Sequence, residues 1–159
     1  MSKYIGLLLL FIGSFVSASA YSPFVKNYKY AEYQGASQNW AIKQNSENKI
    51  YVGNHYGLLE FDGYNWRMYS TKSLSPIRSI FIDDNDRVYV GLNEGFGYFD
   101  ADEYGEMHYT SISDAVDKHL LGNRQIWSIA RVDDTIYFQA FSGYFTYAPN
   151  GDIDFISTV

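Results

Sequence analysis

Short runs in which apolar and polar side chains alternate make up most of this chain from Trp40 onward. Clusters of Asn, Asp and Gly separate the runs, as in Asn45-Ser46-Glu47-Asn48 and Asn150-Gly151. Alternation with a period of two, rich in β-branched and aromatic residues and bounded by turn residues, predicts short β-strands. The pattern therefore predicts an all-β fold.

The strands fall into three copies of one unit. In each copy an Ile/Val-Tyr pair begins nine or ten residues after a Trp or Arg, and a Gly follows seven residues after the Ile or Val. These positions are Trp40, Ile50 and Gly57 in the first copy, Arg78, Val88 and Gly95 in the second, and Trp127, Ile136 and Gly143 in the third. The copies start 38 and 49 residues apart, close to the period of about 40–50 residues that is typical of propeller blades.

Each copy is predicted to contain four strands, named a to d. They span residues 40–44, 49–53, 57–62 and 65–69; 78–82, 87–91, 95–99 and 106–112; and 126–132, 135–139, 143–147 and 153–156. Four such strands form one twisted sheet, which buries its apolar faces only by stacking against neighbours. We predict an incomplete β-propeller of three four-stranded antiparallel blades, at about residues 40–76, 77–123 and 124–159.

Two segments lie outside the repeat. Residues 21–39 form a lead-in that is predicted to be extended, with a turn at Gly35. Residues 114–121 are predicted to form one short helix inserted between the second and third blades, because Ser113 can cap its start and Gly122 can end it.

The number of blades is low, since closed propellers use about four to eight. An open arc leaves an apolar face at each end. The interpretation that we favour is that these blades are the N-terminal part of a longer protein, so that further blades cover the open face. The alternative is that the arc closes by self-association.

The first twenty residues have the features of a secretory signal peptide. Lys3 gives a basic start, residues 4–16 are apolar apart from Gly and Ser, and Ala18-Ser19-Ala20 fits a cleavage site. The apolar run is shorter than the roughly 20 residues that span a bilayer. We predict cleavage after Ala20 and a bacterial protein that is periplasmic or otherwise exported, with no membrane span in the processed chain.

The net charge limits the classes of partner that the chain can bind, and the cysteine content indicates how the domain is stabilised. The formal net charge of −6, from 12 basic and 18 acidic residues, disfavours nucleic acid and anionic membranes, which bind through Lys and Arg. The chain has no cysteine, so its core must hold the domain together without disulfides.

No spacing of residues indicates catalysis, a metal site or a cofactor. Asp100–Gly105 begins like a calcium loop, but Tyr104 and Ser111 stand where that loop needs ligands, which favours a turn. Asp83–Asp86 aligns with the a–b turn of the first copy, which again favours a turn. The histidines lie too far apart in sequence for a zinc motif: His55, His108 and His119. No phosphate loop, dinucleotide fingerprint or nucleophile elbow is present.

Aromatic residues are abundant, with 16 Tyr, 11 Phe and 3 Trp. Those at equivalent strand positions are predicted to fill the core between blades: Tyr51, Tyr89, Tyr137, Phe61 and Phe99.

Loop residues that differ between copies are better candidates for recognition, and in a propeller the b–c and d–a connections share one face. The candidate ligand-binding residues on that face are Trp40, Asn54, His55, Tyr56, Arg78, Asn93, Glu94, Arg124, Trp127 and Phe141. Trp and Tyr can stack on a sugar ring or anchor a protein, and Arg and Asn give directional hydrogen bonds.

Several segments also have the pattern of a known family. They are Gln38-Asn39-Trp40-Ala41-Ile42, Tyr51-Val52-Gly53-Asn54, Gly57-Leu58-Leu59-Glu60-Phe61-Asp62-Gly63, Trp66-Arg67-Met68-Tyr69, Tyr89-Val90-Gly91 with Gly95-Phe96-Gly97-Tyr98-Phe99, and Ile126-Trp127-Ser128-Ile129. From about Tyr28 onward, the chain resembles the two-component-regulator propeller repeats of exported bacterial sensors. The resemblance is strongest to the N-terminal part of regulators that carry a three-tyrosine domain after the propeller.

This resemblance implies an input propeller that senses a ligand or contacts a partner, ahead of a histidine-kinase or DNA-binding output module. The sequence itself contains no three-tyrosine domain, membrane helix, kinase motif or helix-turn-helix. We therefore expect a non-enzymatic sensor or recognition module that binds a small molecule, plausibly a glycan fragment, or another protein. The alternative is a fragment of a propeller-based polysaccharide-degrading enzyme, which would need a paired acid and base near the axis.

Overall fold

The computed structural model describes residues 23–72 and 74–158. Within them, twelve strands form three antiparallel sheets of four strands, each sheet in sequence order. The first sheet contains β1 Asn39–Gln44, β2 Ile50–Asn54, β3 Gly57–Phe61 and β4 Trp66–Tyr69. The second contains β5 Ile77–Ile82, β6 Val88–Leu92, β7 Gly95–Ala101 and β8 Met107–Ser111. The third contains β9 Ser128–Val132, β10 Thr135–Ala140, β11 Gly143–Tyr147 and β12 Ile153–Ser157.

The predicted fold class is confirmed: the chain is all-β and forms three blades of a partial propeller. Every strand begins and ends within two residues of its predicted limits. The three a strands are neighbours, with β5 lying between β1 and β9. The blades are therefore arranged around a common axis, with strand a of each blade nearest to it.

Short polar side chains shape the a–b turns. Asn45 Oδ1 accepts hydrogen bonds from the N–H groups of Glu47 and Lys49 at 3.1 and 2.9 Å. Asp83 occupies the equivalent position in the second blade and accepts from two backbone N–H groups in the same way. In the third blade Val132 pairs directly with Thr135, so this turn is shorter. The shorter turn explains why Ile136 follows Trp127 one residue sooner than in the other copies.

Two aromatic and aliphatic clusters fill the spaces between blades. Between the first and second blades lie Tyr51, Leu58, Tyr69, Ile77, Ile80, Val88, Val90, Leu92, Phe99 and Met107. Between the second and third lie Tyr89, Phe96, Ile112, Ile126, Ile136, Phe138, Ala140 and Phe145. Because residues alternate along each strand, the second blade supplies side chains to both of its neighbours.

The recurring core residues mostly lie where the repeat predicts. Tyr51, Tyr89 and Phe99 are buried between blades. Phe61 is buried too, but its ring contacts Tyr28 and Trp66 on the side of the first blade away from the second. Tyr137 has the same position in its sheet as Tyr51 and Tyr89 but is only half-buried, because no fourth sheet lies against this face in the described residues.

Two glycines let adjacent blades approach closely. A Cβ atom on Gly53 would lie 2.8 Å from the carbonyl oxygen of Ile77 and 2.9 Å from its Cγ2 methyl. A Cβ on Gly91 would lie 2.5 Å from the Cγ2 methyl of Ile126. In both cases an isoleucine at the entry to strand a packs on the bare backbone of strand b in the preceding blade. Gln139 is the equivalent residue in the third blade.

Polar contacts between the turns support this stacking. Ser46 donates from its backbone N–H and its hydroxyl to the carboxylate of Asp86, at 3.0 and 2.5 Å, which joins the a–b turns of the first two blades. Arg131 of the third blade donates to Asp84 of the second at 2.7 Å. Both contacts are exposed, so each contributes little beside the apolar core.

The lead-in covers part of the open face of the first blade. It contains one helical turn, α1 Tyr30–Tyr33, so the prediction of an extended segment was incomplete. Glu32 accepts a hydrogen bond from the Lys29 backbone at 2.7 Å, which stabilises the start of this turn. Tyr28 and Tyr33 pack against Trp66 of strand d. The lead-in thus buries apolar surface of the first blade that the second blade does not cover.

The predicted short helix between the second and third blades is present, but it is shorter than the predicted range 114–121. A short 3-10 helix, Ser113–Ala115, and a one-turn helix, α2 Lys118–Leu121, are separated at Val116, which is extended with φ −89° and ψ 140°. The side chain of Asp117, rather than Ser113, caps α2 by accepting from the His119 N–H. A second capping residue inside the segment therefore breaks the helix that Ser113 and Gly122 predict.

Two remaining predictions concern the membrane. The predicted signal peptide, residues 1–20, lies outside the described residues. Among the residues that the structure describes, no helix has the length and apolar character of a membrane span.

Alkaline pH is expected to destabilise the fold through buried tyrosines. Burial raises the pKa of Tyr109 to about 12, and burial with the nearby Glu60 raises the pKa of Tyr51. A raised pKa means that the folded state disfavours tyrosinate, so this stability is complete below pH 10 and is lost as pH rises towards 12. Urea unfolding at intervals from pH 8 to pH 12 should show the decline, and Tyr109→Phe should make it shallower. A free energy of unfolding that stays constant up to pH 12 would contradict this assignment.

Candidate functional site

Three equivalent residues at the start of the a strands meet near the axis. In the first blade Asn39 pairs with Asn54 and Ala41 with Gly53, so Trp40 is the extra residue of a β-bulge. Arg78 occupies the same bulge in the second blade, between Ile77 and Ser79. A bulge turns a side chain out of the regular alternation of its strand. The local backbone therefore directs Trp40 and Arg78 towards the axis instead of into the core.

The guanidinium of Arg78 lies over two indole rings. Its Cζ lies 3.7 Å from the ring centroid of Trp40 and 5.4 Å from that of Trp127. The ring of Phe141 lies 5.7 Å from that of Trp127, centroid to centroid. Arg78 Nη2 also donates to Asn93 Oδ1 at 3.4 Å. We call these five residues the axial cluster: Trp40, Arg78, Asn93, Trp127 and Phe141.

A cavity of about 230 Å³ opens beside this cluster. Its walls are Trp40, Ala41, Lys43, Arg78, Ser79, Ile80, Trp127, Ser128 and Ile129. Both indoles remain partly exposed, at 39% for Trp40 and 40% for Trp127. The cavity thus offers two aromatic surfaces and two cationic side chains to a small ligand or to one or two sugar rings.

Two of the ten predicted site residues use their side chains in hydrogen bonds that join segments of the fold. Asn54 is fully buried, and its amide binds the backbone of Ala36 and Tyr56 and the side chain of Asn39. Arg124 donates to the carbonyl of Leu120 and to Ser142 Oγ, so its guanidinium joins the inserted helix to the third b–c turn. Neither residue lines the axial cavity.

The other three predicted residues lie apart from the axial cluster. His55 and Tyr56 form the first b–c turn, and Tyr56 lines a different groove with Tyr30, Gly35, Ala36 and Ser37 of the lead-in. Glu94 is exposed in the second b–c turn and does not line the axial cavity. The structure therefore brings together five of the ten predicted residues.

The acidic side chains at the face opposite the axial cluster form hydrogen bonds and ion pairs that stabilise the fold. A cavity of about 440 Å³ is lined by Asp83, Asp86, Arg87 and Asp100, among others. Arg87 forms a two-point contact with Asp100, at 2.8 and 2.9 Å. Asp83 shapes its own turn and Asp86 accepts from Ser46. In the described part of the chain, no group of three or more His, Cys, Asp or Glu residues is placed to hold a metal ion.

The sequence pattern does not indicate Lys43 as part of the site. Lys43 lies within strand a of the first blade, where an alternating pattern predicts only an ordinary exposed strand residue. It lines the axial cavity because the strands nearest the axis have no further strand to cover them. The repeat does place Lys43 in strand a, and all residues of strand a border the axis in a propeller. This position is the feature of the sequence that could have indicated Lys43.

The fold is similar to those of extracellular domains from bacterial regulators. Two structures of one domain from B. thetaiotaomicron, described as a one-component system in one case and as a hybrid two-component system in the other, have a TM-score of 0.53 and 23% identity over 76% of this chain. The extracellular domain of a second hybrid two-component system from that organism has a TM-score of 0.59 and 16% identity over 84% of this chain.

The likeness at these identities shows the fold alone. The matched region is 15–17% of the length of those solved domains. No protein-family model and no curated protein matches this sequence.

Proposed function

We propose that this chain is the recognition part of an exported bacterial sensor, acting in the periplasm, and that its axial cavity binds the ligand. The likeness in fold to extracellular domains of regulators supports a sensor role. The role is binding rather than catalysis, because the cavity is lined by aromatic and cationic side chains and not by a paired acid and base. The ligand class that fits best is an oligosaccharide, whose rings stack on indoles.

The observation that carries this proposal is the placement of Trp40, Arg78 and Trp127. These residues occupy the same position in three copies, yet none belongs to the clusters that fill the spaces between blades. Large aromatic side chains that are partly exposed, ordered around an arginine and not needed for the core are typical of binding sites.

Substitution of Trp40 tests the proposal. Full chain produced for export and purified should give saturable binding to at least one oligosaccharide on a glycan array. Trp40→Ala should weaken that binding at least about tenfold, because an anchoring Trp commonly contributes more than the equivalent of a tenfold change. Titration calorimetry with the oligosaccharide selected on the array measures the change.

Tyr64 provides a matched control. It is an aromatic residue that is 90% exposed in the c–d turn of the first blade, away from the axial cavity. Tyr64→Ala should bind as the unsubstituted chain does, and circular dichroism should show both variants folded. Equal losses for the two variants, or binding only to another protein and to no glycan, would contradict a glycan site at the axis.

A further inference from the structure

We propose that the ligand of the axial cavity is an acidic oligosaccharide, whose carboxylate or sulfate group binds Arg78 with help from Lys43. This inference rests on the proposed function, and it specifies the charge of the ligand. It is argued from the charges that line the cavity and from the hydrogen bonds that Arg78 does not make.

The charge of the cavity is opposite to that of the chain. The chain has 18 acidic and 12 basic residues, yet the only ionisable side chains that line the cavity are Lys43 and Arg78. Glu94 follows Asn93 in the second b–c turn but does not line the cavity. A cationic, partly enclosed surface on an acidic protein attracts an anionic ligand at short range, while the rest of the surface repels it.

Arg78 also differs from the other arginines of the described chain. Arg67, Arg87 and Arg131 each pair with a carboxylate. Arg124 uses its guanidinium on backbone carbonyls and a hydroxyl. Arg78 has one long hydrogen bond to Asn93, and its Nε and Nη1 atoms are buried without a partner.

Buried, unpaired donors on a charged group are unfavourable, and proteins rarely retain them without a reason. An anionic oxygen would satisfy them, because hydrogen bonds between guanidinium and carboxylate or sulfate are among the stronger ones available to a protein. Both donors are closed off from solvent, and the indoles of Trp40 and Trp127 lie next to the guanidinium. We therefore expect Trp127, which is the more distant of the two from Arg78, to turn aside when the anion enters.

The remaining lining favours a sugar as the carrier of the charge. Two partly exposed indoles provide flat apolar surfaces next to the cation. A pyranose ring has an apolar face that can stack on an indole while its acidic substituent reaches the guanidinium. Two cations with no aromatic surface would not distinguish an acidic sugar from a free anion.

The test compares acidic ligands with neutral ones of the same size. The probes are trigalacturonate with its fully methyl-esterified form, and a sulfated lactosamine with its unsulfated form, each titrated into the full chain at low and at high salt. We expect one acidic probe to bind at least about tenfold more tightly than its neutral partner, more weakly at high salt, and with a change in tryptophan fluorescence. Whether trigalacturonate or the sulfated sugar binds identifies the anion.

Variants connect the effect to the cavity. Arg78→Gln should reduce the affinity for the acidic probe by about 10- to 100-fold, since it removes charged hydrogen bonds. Arg78→Lys should restore only part of the affinity because it lacks the planar group that stacks on indole. Lys118→Gln removes a cation from the exposed helix α2 and should have no effect. Circular dichroism confirms that each variant is folded.

The outcomes separate this inference from the proposed function. If neutral probes bind as tightly as acidic ones and Trp40→Ala abolishes binding, the axial site stands and its anionic preference is overturned. If acidic probes bind but Arg78→Gln and Trp40→Ala have no effect, both proposals are overturned. No binding of any probe at millimolar concentration overturns the acidic-sugar inference, and the glycan array then decides the proposed function separately.

Discussion

Replacing Phe138 with Ala is expected to destabilise the protein by about 3–5 kcal/mol, the usual range for a fully buried Phe. Phe138 belongs to the third blade, and its ring stacks on Phe96 of the second with centroids 4.4 Å apart. Neither ring is exposed to solvent. The substitution removes the aromatic contact between two blades and leaves a cavity that the strands cannot close, because their hydrogen bonds fix the distance between backbones.

Phe141 is the matched control for this experiment. It lies three residues further along the same chain segment but is 87% exposed, so Phe141→Ala should change the free energy of unfolding by less than about 0.5 kcal/mol. Chemical denaturation of the three proteins measures both effects. Similar destabilisation by the two substitutions would show that the core between the second and third blades is not as described.

Gly91→Ala is expected to destabilise the protein by roughly 1–3 kcal/mol through overpacking. The added Cβ would lie 2.5 Å from the Cγ2 methyl of Ile126 and 2.7 Å from its Cβ. Ile126 is fully buried and branched, so it cannot move aside without displacing the entry to strand a of the third blade. The hydroxyl of Ser79, which donates to the Ile126 carbonyl, also lies against this position. Outside such crowding, Ala in place of Gly would stabilise a strand slightly, so a destabilisation reports the packing of Ile126 and Ser79 on Gly91.

The repeat supplies a control at the equivalent position. Gln139 occupies the place of Gly91 in the third blade and is exposed. Gln139→Ala should leave the free energy of unfolding within about 0.5 kcal/mol of that of the unsubstituted chain. If Gly91→Ala is neutral or stabilising, Ile126 does not pack on strand b of the second blade.

The strands and the fold class could be predicted from the sequence because three copies repeat one pattern. A single strand such as Val88–Leu92 is too short to identify with certainty, since all of its residues are buried and it lacks alternation. Val88–Leu92 can be predicted as a strand because it is equivalent to Ile50–Asn54 in the first copy of the repeat. The equivalent tyrosines likewise identified the core, although Tyr137 has no sheet against it in the described residues and is less buried than its counterparts.

The lead-in and the inserted segment were harder to predict because neither repeats. Tyr28 and Tyr33 are buried or half-buried only because Trp66 presents a ring to them from a distant strand. The sequence pattern around Tyr28 and Tyr33 does not indicate a contact with a strand that lies so far away in the chain. In the insert, Asp117 caps a helix of its own, so the longer helix that Ser113 and Gly122 predict does not form.

The candidate site could be predicted only in part. The sequence placed Trp40, Arg78 and Trp127 together because they are equivalent residues of the repeat. It did not indicate the bulges that turn Trp40 and Arg78 towards the axis, since a bulge depends on the pairing of two strands. For the same reason it could not distinguish Asn54, which binds the lead-in, from residues that face the cavity.

The central claim is that equivalent isoleucines pack on equivalent glycines as each blade stacks on the one before it. Nuclear Overhauser measurements on chain with labelled isoleucine methyl groups test it directly. We expect strong cross-peaks from the Cγ2 methyl of Ile77 to the Hα of Gly53 and from that of Ile126 to the Hα of Gly91. The absence of either cross-peak, in a chain whose strands are otherwise formed, would contradict the account.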